Sequence, residues 1–411
     1  MPAPPSVGTL SRFGYDTQDP ITRAFEYKNF GVGKHNTVLA TAGIRGTRSY
    51  PVERTRAGVY TVGGSITWEP GPTDLDFFLP LILGGTKQPD NSFMLAETIP
   101  ANGTCVIDRV AQVHKFSGCA IDKATFKAVS GGFLDLTIDV EGKTETLSAP
   151  GTFPATIATP VTTPTVNPTG GGATGGLLQA GNYFVKYTFV NQLGETPASP
   201  ESLSFTVAAG NIPQVTLPAL PANVQSINIY LTLVGGASGT EILYKTGVTT
   251  TTTNLAVSNA GSGSPAPPSI NTAVLMSMQV PYVLMDAVLT NGGTSYQFAE
   301  MEVTVDNSLK KDRFMNAISR TDLPALDRMV SVSLRHPYTS DTIGLYDNNV
   351  TSNAVIITFT NGGNIFTINM PAIQFPTVPP DMPGREEIIL PLNGQARKIG
   401  STPEVTFSNT P

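Results

Sequence analysis

The sequence predicts a mainly β protein in three parts: two similar β-sandwich or barrel domains, each with one short helix, separated by an inserted β-sandwich. Three observations carry this. Gly and Pro number 40 and 34 in 411 residues while charged residues are only 14%, a balance that favours short strands joined by turns. A central block is nearly free of charge. On either side of it the same order of strand, helix, hairpin and strand recurs, which suggests duplication. The expected boundaries are 1–154, 155–272 and 273–411.

In the first domain, Val59 to Pro70 reads as a strand leading into a helix at Thr73-Asp74-Leu75-Asp76-Phe77-Phe78-Leu79. Thr73 with Asp76 three residues later gives a capping-box-like start, Gly84-Gly85 gives a stop, and Pro80 keeps the helix short or kinked. A hairpin follows through Cys105–Asp108, Val113–Phe116 and Cys119–Phe126. Cys105 and Cys119 could lie opposite each other in it, but two cysteines make no disulfide framework, and both are expected as small buried side chains. The closing strand alternates Leu134, Leu136, Ile138 and Val140 with Asp135, Thr137 and Asp139, so one face is buried and the other acidic.

The block from about Ala155 to Thr272 holds only Lys186 and Lys245 as basic residues and Glu195, Glu201 and Glu241 as acidic ones. Its edges, Thr159 to Gly172 and Gly261 to Pro268, have linker composition. Between them, strand-like runs at Tyr183–Val190, Leu203–Val207, Gln214–Leu217, Ser226–Leu231 and Thr240–Tyr244 have the spacing of an immunoglobulin or fibronectin type III sandwich. Gly235 to Gly239 lacks the ending of a phosphate loop and reads as a hairpin turn.

In the last domain, Tyr282–Met285 and Glu300–Asn307 read as a long hairpin, Arg328–Leu334 as a strand and Ser340–Tyr346 as a short helix. Strands at Val355–Phe359, Ile365–Met370 and Glu386–Leu392 complete the order seen in the first domain.

Net charge is −6, and basic residues form no run longer than Lys310-Lys311, which argues against stable nucleic-acid binding. Met1 to Pro5 lacks the basic and apolar regions of a signal peptide, and no stretch reaches the ~20 apolar residues of a membrane span. The expectation is a protein kept in the cytoplasm of its producing cell until assembly, without membrane contact. His35, His114 and His336 sit in no metal-ligand spacing, and no nucleophile elbow or P-loop occurs, so no enzyme, cofactor or metal site is expected. The pairs Asp135/Asp139 and Glu302/Asp306 share strand faces. They can be read as acid-base or metal carboxylates, as solvated faces, or as the acidic lining of a channel.

The run Gly64-Ser65-Ile66-Thr67-Trp68-Glu69-Pro70, the stretch Leu75 to Gly85, then Phe116-Ser117-Gly118-Cys119 and Leu136 to Lys143 resemble phage tail tube proteins. So do Met301 to Asn307, Arg313-Phe314-Met315 and Arg328 to Leu334; the likeness covers about residues 40–150 and 280–410. It implies a structural subunit of a long-tailed, siphovirus-like phage, with a continuous inner sheet around a lumen and a long hairpin arm. It also implies rings of three fused double-domain chains, an immunoglobulin-like decoration, and a place in the virion tail. The implied partners are the chain itself, tail tip, tape measure and tail terminator proteins, with DNA present only in transit during ejection. Asp135, Asp139, Glu302 and Asp306 would then face the lumen. The alternative is a tail adhesin whose sandwich binds carbohydrate.

Overall fold

In a computed structural model, residues 8–43, 49, 52–258, 264–346, 352–382 and 384–411 are described. The part of the second predicted linker at 261–263 and the termini of the Met1 to Pro5 reading lie outside them. The chain divides into two units: one takes the described residues of 1–21, 25–149 and 277–411, the other 22–24 and 150–276.

The chain begins with β1 (Arg12–Asp16), β2 (Ala24–Phe25), β3 (Asn29–Phe30), β4 (Gly33–Ala40) and β5 (Thr55–Trp68), then helix α1 (Pro72–Leu83). The helix starts at Gly71, not at the predicted Thr73: Pro72 supplies a preset backbone angle in the first turn, and the Asp74 carboxylate accepts the Gly71 N–H at 3.0 Å. Asp76, the predicted capping partner, instead pairs with Lys87 at 2.7 Å. Gly84 ends the helix at φ 80°, a conformation only glycine adopts without strain. Leu75, Phe78, Leu79 and Ile82 form its buried stripe.

β6 (Gly84–Lys87), β7 (Ser92–Leu95), β8 (Gly103–Asp108), β9 (Val113–Val129), β10 (Asp135–Gly142) and β11 (Thr144–Ser148) follow. β9 is one long strand. Its first half pairs with β8 and β11, and its second half with β10. Gly118, at φ 66°, lies where the partners change. Cys105 and Cys119 are free and buried, standing opposite Phe116 and Gly103, and burial pushes both thiols up, that of Cys119 to about 12.

The second unit contains β12 (Thr165–Gly172), β13 (Gly181–Tyr183), β14 (Val185–Val190), β15 (Phe205–Val207), β16 (Ile212–Thr216), β17 (Ser226–Leu231), β18 (Ile242–Val248) and β19 (Thr252–Asn254). Sheets β12-β16-β19 and β14-β17-β18 enclose a core that includes Val185, Tyr187, Val215, Ile227, Ile229 and Leu255. Part of the first predicted linker is therefore strand β12. Thr165, Val166 and Asn167 pair with Thr216, Val215 and Gln214, and the Pro168 to Gly171 stretch is absorbed as an irregularity in the ladder. The chain enters and leaves this unit side by side, through a Thr156–Val274 bridge and an Ile157 N–H to Ala273 carbonyl bond of 2.8 Å.

The chain returns to the first unit as β20 (Ala287–Asn291), β21 (Thr294–Tyr296), β22 (Glu300–Asp306), β23 (Met329–Pro337), helix α2 (Ile343–Tyr346), β24 (Asn353–Asn361), β25 (Asn364–Gln374), β26 (Ile389–Ala396) and β27 (Thr406–Thr410). The predicted hairpin of 282–285 with 300–307 is not formed. Leu284–Asp286 is a 3-10 turn, β20 turns directly into β21, and β22 pairs with β9 and β23. The reason is chemical: Met301, Val303 and Val305 need the same buried layer as Phe126 and Val332, which only a place between those strands provides.

Pairing repeats across the unit. In the first half the order is β1-β8-β9-(β10, β11)-β5-(β3, β4), and in the second it is β20-β24-β25-(β26, β27)-β23-β22. A helix follows β5 and β23 in each. Both halves nevertheless share one core, in which Phe126 of the first packs 5.8 Å from Phe366 and 5.2 Å from Phe407 of the second.

Candidate functional site: the polar face of the long sheet

The pairing of β22 with β9 makes a single strip of strands, β4-β5-β10-β9-β22-β23-β26. Alternation fixes its two faces. Ile66, Ile138, Ala124, Val303, Val332 and Leu392 point into the core, so their neighbours form one polar face.

That face is ordered in rows by the strand register. A hydroxyl row runs Thr67, Thr137, Thr125, Thr304, Ser331, ending at Gln395, with Thr67–Thr137 and Thr125–Thr304 hydroxyl contacts of 2.9 and 3.1 Å. On one side lie Ser65, Asp139, Lys123, Asp306 and Met329; on the other, Asp135, Lys127, Glu302, Ser333 and Asn393. Glu300 and Arg335 follow at the margin.

All four carboxylates singled out from the sequence, Asp135, Asp139, Glu302 and Asp306, thus stand on one face of one sheet, in two parallel rows. They are not bare. Lys127 bonds Glu300 at 2.7 Å and Glu302 at 3.4 Å, and Lys28 bonds Asp135 at 2.8 Å and Glu69 at 3.1 Å. The hydrogen bond to Glu300 holds the Lys127 ammonium above its ordinary pKa, and that to Asp135 does the same for Lys28. Burial raises the Asp139 carboxyl, with Lys123 opposing the shift. Asp306 also accepts the Ser308 N–H at 2.8 Å and so fixes the turn after β22. With Asp135, Asp139, Glu300, Glu302 and Asp306 against Lys123, Lys127 and Arg335, the face stays net negative while every carboxylate row carries a cation.

The lysines and the hydroxyl row were not singled out from the sequence. Their signal was the alternation of Lys123, Thr125 and Lys127 with Ala124, Phe126 and Ala128, the same periodicity that identified β10. Chemically, the face can present fixed charge and hydroxyls over a long span. It offers no convergent donor set: among the described residues no group of three His, Cys, Asp or Glu side chains could hold a metal ion, and no helix is long and apolar enough to cross a membrane.

Behind the strip, the segment joining β22 to β23 clamps the two halves. Asn307 donates to the Ile82 and Ile121 carbonyls at 3.0 and 3.1 Å, and the Leu309 N–H bonds Asp122 at 2.7 Å. Lys311 bridges Asp122 at 2.6 Å and Glu141 at 3.0 Å. Burial works against its charge, but those two bonds outweigh it and hold the ammonium above its ordinary pKa. Arg320, only 6% exposed, donates to the Val62 carbonyl and the Glu141 carboxylate at 2.7 Å each.

No curated protein matches the chain. Residues 15–189 match the family model of phage tail tube protein, a stretch that includes β5, α1, the β8-β9 hairpin and β10. Over those residues the chain is similar to phage tail tube proteins.

Proposed function

We propose that this chain is the tail tube subunit of a siphovirus-like phage, polymerising as stacked rings of three chains through which DNA is ejected. The carrying observation is the repeated pairing order: each chain supplies two tube repeats, so six repeats surround a lumen when three chains join. In this reading 1–154 and 273–411 are the two tube domains, fused through β22 and β9, and 155–272 is an immunoglobulin-like decoration. Its pair of three-stranded sheets around one core supports that assignment.

The polar face lines the lumen, with Asp135, Asp139, Glu302 and Asp306 among its charges. A net negative wall repels phosphate, and the interleaved lysines limit the self-repulsion that carboxylates packed at strand spacing would suffer. The chain acts as scaffold and conduit, with no catalytic residue, metal or cofactor. Tail tip, tape measure and terminator proteins are its partners after synthesis in the host cytoplasm.

Cryo-electron microscopy of the purified chain, with and without a tail-tip nucleus, tests this. Tubes with three chains per ring and the threonine row inside are expected. Six chains per ring would remove the three-chain claim, and a monomer that never forms tubes would overturn the reading.

A further inference from the structure

Residues 155–272 hold five charged side chains, and three of them meet at one point. Lys186 lies on β14, Glu201 in the segment between β14 and β15, and Glu241 just before β18. The Lys186 ammonium stands 3.0 Å from the Glu241 Oε2 and 3.7 Å from Glu201. Glu201 in turn holds the turn between β17 and β18, accepting the Ser238 hydroxyl and, at 2.8 Å, the Gly239 N–H.

Glu241 is the buried member, 2% exposed, and its Oε1 has no hydrogen-bond partner among the described residues. The Glu201 carboxyl is within hydrogen-bond reach of it. Two ionised carboxylates have nothing to donate to each other, so that contact needs a proton between them, and one ammonium cannot neutralise both. Burial, and after it the contact with Glu201, push the Glu241 carboxyl up. Burial acts the same way on Glu201, but its bonds to Glu241, Ser238 and Gly239 outweigh it and hold that carboxyl down at about 2.

We infer that Glu201 and Glu241 share one proton, and that this proton latches the 236–241 turn of the second unit. Its loss sets two carboxylates face to face with a single ammonium. Glu241 is enclosed and keeps Lys186. Glu201, with 17% of its side chain exposed, turns outward and gives up Ser238 and Gly239. The turn is then held by its Gly236–Leu233 and Thr240–Ala237 backbone bonds of 2.9 and 3.3 Å. The other charged groups of this unit are engaged elsewhere. Glu195 accepts from Thr188, Asn228 and Tyr230, Lys245 donates to Thr253 at 2.7 Å, and Arg23 adjoins the Ala24–Met276 bridge. Because the folded Glu241 pKa is raised, the latch is complete below the unfolded value of ~4.3 and is lost as pH rises through the folded value, while Glu201 stays ionised.

Hydrogen exchange on the full chain between about pH 4 and 7.5, corrected for its intrinsic pH dependence, tests this, with the β14 and β17 amides as the reference within the same unit. The protection of 236–241 relative to those strands should fall several-fold as pH rises. Glu241→Gln, whose amide donates to Glu201 at every pH, should keep the turn protected throughout, and Glu201→Ala should leave it open throughout. Constant protection in the unaltered chain, or an equal fall in Glu241→Gln, overturns the latch. Should either variant unfold the unit, side-chain carboxyl NMR of the glutamate-labelled unaltered chain decides. One glutamate titrating above the ordinary range and one below it is expected, and two ordinary titrations overturn the shared proton. The measurement needs no tube, so its outcome is independent of the tube reading.

Discussion

Arg320 is the most demanding side chain of the internal clamp. Arg320→Met keeps most of the apolar stem and removes the guanidinium. Four bonds go: those to the Val62 carbonyl and Glu141 at 2.7 Å, to the Lys311 carbonyl at 2.8 Å, and to the Gly142 carbonyl at 3.3 Å. A hydrogen bond to a charged group is worth about 1.5–3 kcal/mol, and breaking a buried ion pair by removing one partner costs about 3–5 kcal/mol. Lys311 still stands 3.0 Å from Glu141, so that carboxylate keeps a cation, and the lower end applies. The expected loss is about 3 kcal/mol. Trp68 is the single tryptophan and is buried in the first unit, so its fluorescence reports that unit alone. With a urea slope of about 3 kcal/mol per molar, the Trp68 midpoint should fall by about 1 M. Arg320→Lys, which keeps the charge without the fork, should fall between the two. A shift below about 0.3 M would show that the clamp contributes little and that the halves are held by their shared core.

His336 gives a pH dependence. Its Nδ1 bonds the Gln297 carbonyl at 2.7 Å, its buried Nε2 has no partner among the described residues, and burial holds its pKa below the ordinary 6.5. The unfolded chain takes up a proton near pH ~6.5 while the folded one does not, so this stability is complete above that pH and lost as pH falls through the folded value. The Trp68 urea midpoint should fall between about pH 7.5 and 5.5, and fall less in His336→Phe; equal slopes would exclude His336 as the cause. Asp135→Lys with Asp139→Lys sets cations beside Lys28 and Lys123 on a half-exposed face, where each pair is worth up to about 1 kcal/mol. Tubes should form and DNA ejection should slow; ejection at the normal rate from tubes shown to contain both changes would refute the lumen assignment. Deleting 155–272 removes a segment whose entry and exit run side by side in the intact chain, at the Thr156–Val274 bridge, so a short Gly/Ser linker should span the gap and leave tube assembly intact. Loss of tubes with the Trp68 transition unchanged would place the deleted unit in the ring contact.

Much of this protein follows from local patterns. The alternation of Leu134, Leu136, Ile138 and Val140 with Asp135, Thr137 and Asp139 determined that β10 has one buried and one acidic face, because side chains on a strand alternate whatever surrounds it. The charge-poor composition set 155–272 apart along the chain, and the recurring order of elements suggested a repeat. The resemblance carried by Gly64 to Pro70 and Leu136 to Lys143 agreed with the match over residues 15–189.

Sequence did not determine who pairs with whom. Glu300 to Asp306 looked like one arm of a local hairpin, and only the tertiary structure set it between β9 and β23. Thr165 to Asn167 had linker composition, yet became a strand because β16 offered an open ladder. Two of the cations that meet the acidic rows come from far away in sequence: Lys127 reaches Glu302, and Lys28 reaches Asp135. Strand alternation is a property of neighbouring residues and can be read along the chain. Register and charge pairing depend on which distant strand arrives alongside, and that is settled by the shared apolar layer of Phe126, Val303 and Val332 in three dimensions.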